Sequence, residues 1–197
     1  MIAIIDYDAG NLRSVQKALE FLGYDAVITS DETKILSAER VILPGVGAFG
    51  EAREQLRKRG LDQTIQKAVQ SGKPFLGICL GLQLLFEESE ESPGVTGLGI
   101  LPGKIVKIPK EFGLKIPHIG WNELNIQKKD GFLKNIGEQP FVYFVHSYYM
   151  EPSDESLTAA TTDYGAKLPV AVEKDNVMAA QFHPEKSGTV GLQILKQ

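Results

Sequence analysis

One short stretch around the single cysteine constrains this chain more than any other. Residues 75–78 are apolar apart from one glycine, which predicts a buried strand, and from Leu80 onward apolar side chains recur at helical spacing. Cys79 therefore lies where a strand turns sharply into a helix. Gly77 and Gly81 flank it two residues to either side, which is the G-x-nucleophile-x-G pattern of a nucleophile elbow with cysteine in place of serine. The pattern predicts a nucleophilic Cys79 at the end of a buried strand.

This position has a chemical consequence for Cys79. The N-terminus of a helix carries about half a positive charge, and its first N–H groups have no partner within the helix. A thiolate there is stabilised, and the same N–H groups can serve a developing oxyanion. The alternative is a buried core residue, because cysteine also behaves as a small hydrophobe. The two glycines at elbow spacing favour the nucleophile.

Composition and charge are those of an ordinary globular protein. The 197 residues suffice for one α/β domain with a real core, and 43% are hydrophobic and 23% charged. A net charge of −4 without a basic run argues against nucleic acid as the main partner. The single cysteine excludes an internal disulfide and indicates a reducing compartment. Residues 1–6 are too short for a signal peptide and residues 75–86 too short to span a bilayer, so we expect a cytoplasmic protein that does not enter a membrane.

The first half of the chain alternates strand and helix patterns. Predicted strands cover residues 2–5, 26–28, 41–43 and 75–78, and predicted helices cover residues 12–22, 49–59, 61–70 and the stretch from 80. Pro44 is expected to end the third strand. Such alternation predicts an α/β fold of the flavodoxin-like kind, a mostly parallel sheet with helices on both faces.

The second half changes character. Residues 87–99 are acidic and contain glycine and proline, which predicts a loop. Short β-rich runs follow at residues 104–108, 122–126, 141–145, 157–162, 170–174 and 177–182, and a short helix is predicted over about residues 189–196. Runs this close together predict antiparallel hairpins added to the sheet. With no repeat or linker in the sequence, residues 1–197 are expected to form one domain.

A nucleophilic cysteine needs a base, and one of the three histidines stands out. His183 ends a predicted strand and is followed by Pro184 and Glu185. Residues two apart in an extended chain point the same way, and Pro184 keeps His183 extended, so the histidine and Glu185 can project together from the sheet. Cys79 also lies at a strand end, which predicts a cysteine–histidine–carboxylate triad for acyl transfer. The alternative is a capped surface histidine beside a solvated glutamate.

Residues 45–50 match a competing motif. They read G-x-G-x-x-G between a strand and a helix, as in dinucleotide-binding folds. The match is not on the first strand, and the next strand ends at Cys79, where a dinucleotide fold would carry an acidic residue for the ribose. We therefore interpret residues 44–47 as a flexible backbone wall facing the nucleophile, with a nucleotide-binding module as the alternative.

Several stretches together resemble a known family. Residues 77–86 and 181–185 resemble the class I, or triad, glutamine amidotransferases. Within that family, residues 6–12, 44–49, 117–122 and 144–148 are similar to the glutaminase subunits of imidazole glycerol phosphate synthases. The resemblance runs from about residue 2 to the end of the chain. Leu82 departs from it at a packing position where methionine is usual.

This resemblance implies a reaction and a partner. Such enzymes hydrolyse glutamine to glutamate and ammonia, with neither a cofactor nor a metal. The ammonia passes to a cyclase subunit with a (β/α)₈ barrel, in a heterodimer. The cyclase makes imidazole glycerol phosphate and an aminoimidazole carboxamide ribonucleotide, in histidine biosynthesis. The alternatives are the glutaminase of an aminodeoxychorismate or pyridoxal phosphate synthase, and a cysteine peptidase of similar fold.

The resemblance also implies a role for each matching position. Cys79 is the implied nucleophile, His183 the base and acid, and Glu185 the residue that orients the histidine. The N–H groups of Val46 and Leu80 are expected to form the oxyanion hole, with a Gly45–Val46 peptide that can rotate. The implied glutamine contacts are Gly47, Gln83, Glu91, Ser147 and Tyr148, and the implied cyclase contacts are Asn11, Trp121, Asn122, Tyr143 and Lys186. Gln83 and Glu91 as solvated polar residues, and Trp121 as a core aromatic, are the alternatives.

Overall fold

A large central sheet organises the computed structural model, which describes residues 1–110 and 113–197. The strands are β1 (Ile2–Ile5), β2 (Ala26–Thr29), β3 (Arg40–Gly45), β4 (Phe75–Cys79), β5 (Glu88–Ser89), β6 (Gly103–Lys107), β7 (His118–Glu123), β8 (Asn125–Ile126), β9 (Phe141–His146), β10 (Tyr148–Pro152), β11 (Thr158–Asp163), β12 (Lys167–Lys174) and β13 (Val177–Ala180). The helices are α1 (Leu12–Phe21), α2 (Glu32–Ser37), α3 (Phe49–Lys58), α4 (Leu61–Gln70), α5 (Leu80–Leu84) and α6 (Gly188–Lys196). The central sheet has the strand order β2-β1-β3-β4-β13-β12-β11-β8.

The strands from β2 to β13 in that order are parallel, and β12, β11 and β8 join them by antiparallel pairing. This arrangement confirms the predicted α/β fold, and its first five strands have the flavodoxin-like order. The predicted helices from residues 12, 49 and 61 are confirmed to within one residue at their ends.

Helices cover both faces of the sheet, as β1 illustrates. Ile2 and Ile4 are buried in one cluster with α1 and α6, and Ala3 and Ile5 are buried in another with α2, α3, α4 and α5. Successive side chains of a strand point to opposite faces, so a strand buried on both sides is apolar throughout. Among the described residues, none of the helices combines the length and the hydropathy that a membrane crossing requires.

The prediction that Pro44 ends the third strand is wrong. Strand β3 continues to Gly45, and Pro44 pairs with Ile78 of β4. On its other side, the register with β1 stops at Ile42, so the missing N–H of Pro44 falls beyond the end of that neighbour. The Pro44 carbonyl on the same side accepts a 2.9 Å hydrogen bond from the Tyr7 hydroxyl instead.

The second half of the chain departs from prediction in three ways. Strand β13 forms a hairpin with β12 but pairs in parallel with β4, so it belongs to the parallel core and not only to an antiparallel addition. Strands β10, β6 and β5 form a separate sheet, as do β7 and β9. Strands β5 and β10 and most of β7 were not predicted, and in the first half of the chain helix α2 was missed. These elements are short, and the pairing partner of a strand cannot be derived from its own residues.

The turn between β4 and α5 has the geometry of a nucleophile elbow. Cys79 has φ 54° and ψ −112°, a backbone conformation that costs a residue with a side chain about 1–3 kcal/mol. A Cβ atom at Gly81 would overlap the Leu43 carbonyl oxygen of β3, and one at Gly77 would lie 3.0 Å from the Gly81 carbonyl oxygen. The flanking glycines thus allow α5 to approach both strands, as the sequence predicts.

We predict that Gly81→Ala lowers the free energy of unfolding by about 3 kcal/mol, because neither backbone can yield where the new methyl meets Leu43. Chemical denaturation measures this. Gly94→Ala is the matched control, because Gly94 has φ +83° and open space around it, so only the backbone cost of about 1–2 kcal/mol applies. Equal losses in the two variants would contradict the contact.

Candidate active site

The predicted catalytic residues meet at the edge of the sheet where its parallel strands end. Cys79 is the last residue of β4, and residues 44–47 span the end of β3 beside it. Gln181 and His183 follow β13, the neighbour of β4 on the other side. Ligands and catalytic groups of open α/β sheets lie at this edge, outside the carboxyl ends of the parallel strands.

His183 and Glu185 form a buried pair beside Cys79. The His183 Nδ1 lies 2.7 Å from Glu185 Oε1, and the side chains are 1% and 0% exposed. His183 is extended, with φ −101° and ψ 97°, as predicted. Glu185 comes back to it through a 3₁₀ turn over Pro184–Lys186, not through an extended chain. With Nδ1 bonded to the carboxylate, Nε2 is the nitrogen left for the reaction. It is buried and without a hydrogen bond from any described residue.

The surroundings of His183 favour its charged form. Burial acts to lower its pKa, but the Cys79 sulfur and the Glu185 carboxylate outweigh burial and raise the pKa of His183 to about 9. At neutral pH the histidine is therefore an imidazolium beside the cysteine. In this state His183 can serve as a proton donor beside the cysteine.

Two buried amides, only one of which was predicted, connect to the nucleophile. Gln83 Nε2 donates a 3.0 Å hydrogen bond to Gln181 Oε1, and Gln181 Nε2 lies 3.6 Å from Cys79 Sγ. Gln83 was predicted as a glutamine contact, whereas Gln181 was missed. A signal for Gln181 exists in the sequence, since it lies two residues before His183 in extended chain and so points to the same side.

The loop that carries His183 is held by β9. The His183 N–H donates to the Tyr143 carbonyl at 3.0 Å, and the Tyr143 N–H donates to Ser187 Oγ at 2.9 Å. Ser187 Oγ in turn donates to the His183 carbonyl at 2.6 Å. The Tyr143 ring packs edge-on against Trp121 of β7, with centroids 6.1 Å apart. A displacement of the small β7–β9 sheet would therefore reach His183 through the backbone.

Residues 44–47 lie against the nucleophile from the β3 side. Tyr7, which the sequence reasoning missed although it directly follows the first strand, is buried and bonded to the Pro44 carbonyl. A side chain at Gly45 would meet the Tyr7 hydroxyl, so the Pro44–Gly45 peptide is tightly packed. Val46, by contrast, is 38% exposed, and Gly47 has φ +104°. Burial and the nearby Cys79 raise the pKa of Tyr7, which keeps its hydroxyl a donor.

Three of the predicted glutamine contacts lie around the start of α3. The N–H of Phe49, two residues after Gly47, donates to Glu91 Oε2 at 2.8 Å. Burial is the main cause that raises the pKa of Tyr148, and the negative charges of Glu91 and Glu90 raise this pKa further. The two carboxylates therefore lie near the Tyr148 side chain. Ser92 Oγ accepts from the Gly50 N–H at 3.0 Å. The first N–H groups of α3, which the pyrophosphate of a dinucleotide would need, are thus already bonded within the chain.

Ser147, the remaining predicted glutamine contact, links β9 to Tyr148 in β10. The Ser147 carbonyl accepts from the Ile108 N–H at 3.0 Å, and His146 Nδ1 lies 2.8 Å from the Tyr148 carbonyl. His146 Nε2 lies 2.9 Å from His118 Nδ1, and burial lowers the pKa of His146 to about 3 and that of His118 to about 4. Both histidines are therefore neutral at pH 7, and they support the Ser147 segment as hydrogen-bonding groups.

The predicted partner contacts lie in two settings. Trp121 is 55% exposed beside the exposed Ile119 of the same strand, and Lys186 is exposed next to Glu185. Asn11 and Asn122 are turned inward. Asn11 Nδ2 donates to Glu185 Oε1 at 2.5 Å, and Asn122 Nδ2 donates to the Asp163 carbonyl at 3.1 Å. Asn11 therefore contacts the Glu185 carboxylate from the N-terminal end of α1.

The described residues contain no group of three or more histidine, cysteine, aspartate or glutamate side chains arranged to hold a metal ion.

Comparisons with known proteins agree over the full length of the chain. A family model described as "Glutamine amidotransferase class-I" matches residues 3–197. The chain is 55% identical over 196 residues to "Imidazole glycerol phosphate synthase subunit HisH" of Caldanaerobacter subterraneus subsp. tengcongensis, covering 100% of this chain and 96% of that protein. Proteins of the same name from Syntrophotalea carbinolica and Methanothermobacter thermautotrophicus are 53% and 52% identical, covering 100% of this chain and 98% and 96% of theirs.

Solved structures share the fold. One described as a crystal structure of glutamine amidotransferase has a TM-score of 0.78 at 22% identity, covering 100% of this chain and 96% of that chain. The structure of PurLQS from Thermotoga maritima has a TM-score of 0.77 at 23% identity, covering 99% and 95%.

The raised pKa of His183 predicts a pH-dependent contribution to stability. An unfolded histidine has a pKa of about 6.5, so the stabilisation of the charged His183 is complete below that pH and is lost as the pH rises through about 9. The difference in unfolding free energy between wild type and His183→Gln should therefore fall by about 2–3 kcal/mol from pH 7 to pH 10. Denaturant titrations at both pH values measure it.

His146→Gln is the matched control for this experiment. His146 is also buried, but its pKa is lowered to about 3, so it is neutral at both pH values. Its effect on stability should be the same at pH 7 and pH 10. If the effect of His183→Gln on the unfolding free energy is also the same at pH 7 and pH 10, His183 is not an imidazolium at pH 7.

Proposed function

This chain belongs to the class-I glutamine amidotransferase family, and we propose that it is the glutaminase subunit of an imidazole glycerol phosphate synthase in histidine biosynthesis. The observation that carries the proposal is the buried His183–Glu185 pair beside Cys79 at the carboxyl edge of the sheet. Identities of 52–55% over the full chain to synthase subunits support the choice of synthase. We propose that residues 1–197 act as one domain, because β13 pairs with β4 and unites both halves of the sequence in one sheet.

The proposed reaction is acyl transfer through a thioester. The Cys79 thiolate attacks the side-chain amide carbon of glutamine, and a carbon–sulfur bond forms as the carbonyl π electrons move to oxygen. The oxyanion electrons then re-form the carbonyl as the carbon–nitrogen bond breaks, and His183 gives its Nε2 proton to the leaving nitrogen, which departs as ammonia. A water molecule then loses a proton to His183 as it attacks the thioester. The carbon–sulfur bond breaks, its electron pair returns to sulfur, and glutamate is released. Glu185 holds the ring through Nδ1 during both steps.

The tetrahedral intermediates need two N–H donors for the oxyanion. We propose the N–H of Leu80, the first residue of α5, and that of Val46. The Pro44 carbonyl is held by Tyr7, whereas Val46 is exposed and Gly47 has a positive φ. Rotation would thus be confined to the Gly45–Val46 peptide, which would present either a carbonyl or the Val46 N–H to the site. A partner that favours the second orientation would activate hydrolysis.

The end of the glutamine substrate that carries its ammonium and carboxylate groups would lie between Gly47, Glu91 and the Ser147–Tyr148 segment. Glu91 Oε2 already accepts one hydrogen bond from Phe49, and its other oxygen can receive the ammonium group of glutamine. Gln83 would complete the contacts from α5. Its Nε2 donates to Gln181, whereas its side-chain oxygen Oε1 is left to accept a hydrogen bond from the substrate. Polar groups converging from β3, α5 and β10 fit a small zwitterionic substrate.

The relatives are named as subunits of a synthase, so the chain is expected to work with a partner subunit. We propose that the partner is a cyclase with a (β/α)₈ barrel, in a cytoplasmic heterodimer. The contact surface would comprise Trp121 and Ile119 of β7, Phe141 of β9, and Lys186. Asn11, Asn122 and Tyr143 would support it from behind, since Asn11 contacts Glu185 and Tyr143 holds the His183 loop. Exposed aromatic side chains with a basic neighbour are typical of interface cores.

We predict that Cys79→Ala abolishes glutamate release while the complex with the cyclase still forms. His183→Ala should be comparably severe, because the members of a triad act as a unit, and Glu185→Gln milder. Glutamate release by the chain, with and without the cyclase and its ligand, is the measurement. Near-wild-type release by Cys79→Ala would contradict the proposed nucleophile. Stimulation by a different synthase subunit, or cleavage of peptides, would contradict the proposed pathway.

We predict that Trp121→Ser weakens binding of the cyclase by about 30-fold, which corresponds to about 2 kcal/mol for a central aromatic residue. Titration calorimetry measures it. Phe21→Ser is the matched control, because Phe21 is 78% exposed at the end of α1 that lies away from the catalytic edge. Equal affinities of the two variants would show that the β7 surface is not the interface.

A further inference from the structure

The side-chain amide of Gln181 is fully buried, and both its oxygen and its nitrogen have a neighbour. Gln181 is 0% exposed, and its backbone N–H donates to the Val170 carbonyl of β12 at 2.8 Å. Its Oε1 accepts from Gln83 Nε2 at 3.0 Å, and its Nε2 lies 3.6 Å from Cys79 Sγ. Burying an amide without partners costs free energy, so this arrangement needs both contacts. One of them is to the atom that reacts.

The two contacts of the Gln181 amide require one orientation. With Oε1 facing Gln83, the Nε2 hydrogens face the sulfur. The reverse orientation would direct the negative end of the amide dipole at a thiolate, and it would leave two NH₂ groups facing each other unless Gln83 turned as well. A thiolate can only accept hydrogen bonds, so it favours the orientation in which the NH₂ group of Gln181 faces the sulfur. Gln83, itself buried, holds the amide in that orientation.

We propose that Gln181 is a further catalytic residue, which donates a hydrogen bond to the Cys79 thiolate, and that Gln83 is a positioning residue that holds it there. The proposal rests on the proposed function of Cys79 as the nucleophile. Gln181 differs from His183 in one respect that matters for the reaction. An amide cannot take up or release a proton near neutral pH, so it stabilises negative charge on sulfur without competing as a base.

This donor acts at two points of the reaction. Before attack, it donates to the negative charge on the thiolate sulfur in a pocket where Cys79 is only 7% exposed to water. When the thioester is hydrolysed, the electron pair returns to sulfur, and the same N–H stabilises the departing thiolate. Because the thioester sulfur is neutral, the hydrogen bond weakens in the intermediate and is restored on product formation.

The ionisation of Cys79 can be measured directly, because the chain has a single cysteine. The groups facing it that carry or can carry charge are His183, with Glu185 behind it, and the Tyr7 hydroxyl. The rate of alkylation by iodoacetamide, followed on the full chain from pH 5 to 10, reports the apparent midpoint of the cysteine–histidine pair. Gln181→Met should move this midpoint up by about one pH unit, a tenfold change in the ionisation equilibrium.

Three more variants complete the experiment. Gln66 of α4 donates its side-chain hydrogen bond to the Leu98 carbonyl and not to a residue of the site, so Gln66→Met should leave the midpoint unchanged. Gln83→Met should move it in the same direction as Gln181→Met but less. Gln181→Glu keeps the shape of the side chain and replaces the donor by a carboxyl group, so it should move the midpoint up by more than Gln181→Met.

The proposal is overturned if either Gln181 variant, folded by circular dichroism, alkylates with the wild-type midpoint. Where Gln181→Met does not fold, Gln181→Glu and Gln83→Met decide by the same criterion. Alkylation uses no glutamine, so the outcome is separate from the proposed glutaminase activity. A wild-type chain that fails to release glutamate would refute that activity, even if the midpoint shifts as expected.

Discussion

The close approach of α5 to β3 is the contact on which the rest of the site depends. Gly81 leaves room for the Leu43 carbonyl, which lets α5 begin directly after β4 and forces Cys79 into its positive-φ turn. That turn places the sulfur and the first N–H of α5 at the same point. The energy stored in one strained residue is offset by the packing of α5, whose residues are all buried. A larger residue at position 81 would separate sulfur from helix.

The charges of the site come from a distant part of the chain and are positioned by secondary contacts. His183 and Glu185 follow β13, and the small β7–β9 sheet fixes them through Tyr143. Asn11 contacts the same carboxylate from α1. The His183 loop is therefore held by β9, which pairs with the β7 strand that carries Trp121, whereas the other group that makes His183 cationic, Cys79, is held by β4 and α5. A partner bound at the surface around Trp121 would therefore contact the same small sheet that holds the His183 loop.

Sequence reasoning was strongest where local chemistry decides the structure. The elbow at Cys79, the alternation in the first half and the extended His183 follow from glycine spacing, hydrophobic period and proline geometry, and the structure confirms each. It failed where the outcome depends on a distant partner. The continuation of β3 through Pro44 depends on where β1 ends, and Gln181 is explained only by Gln83 and Cys79, 98 and 102 residues away in the chain. The spacing to His183 indicates only the side to which Gln181 points, and no local pattern identifies its distant partners.

The place of β13 in the sheet also determines when the protein can become active. It is the last strand made, yet it lies between β4 and β12 and carries the base to the nucleophile. During synthesis the ribosome releases the elbow long before His183, and a parallel strand must wait for its distant partner. A nascent or truncated chain therefore presents a cysteine without its base. The proposed chemistry therefore requires that β13 has joined the sheet beside β4.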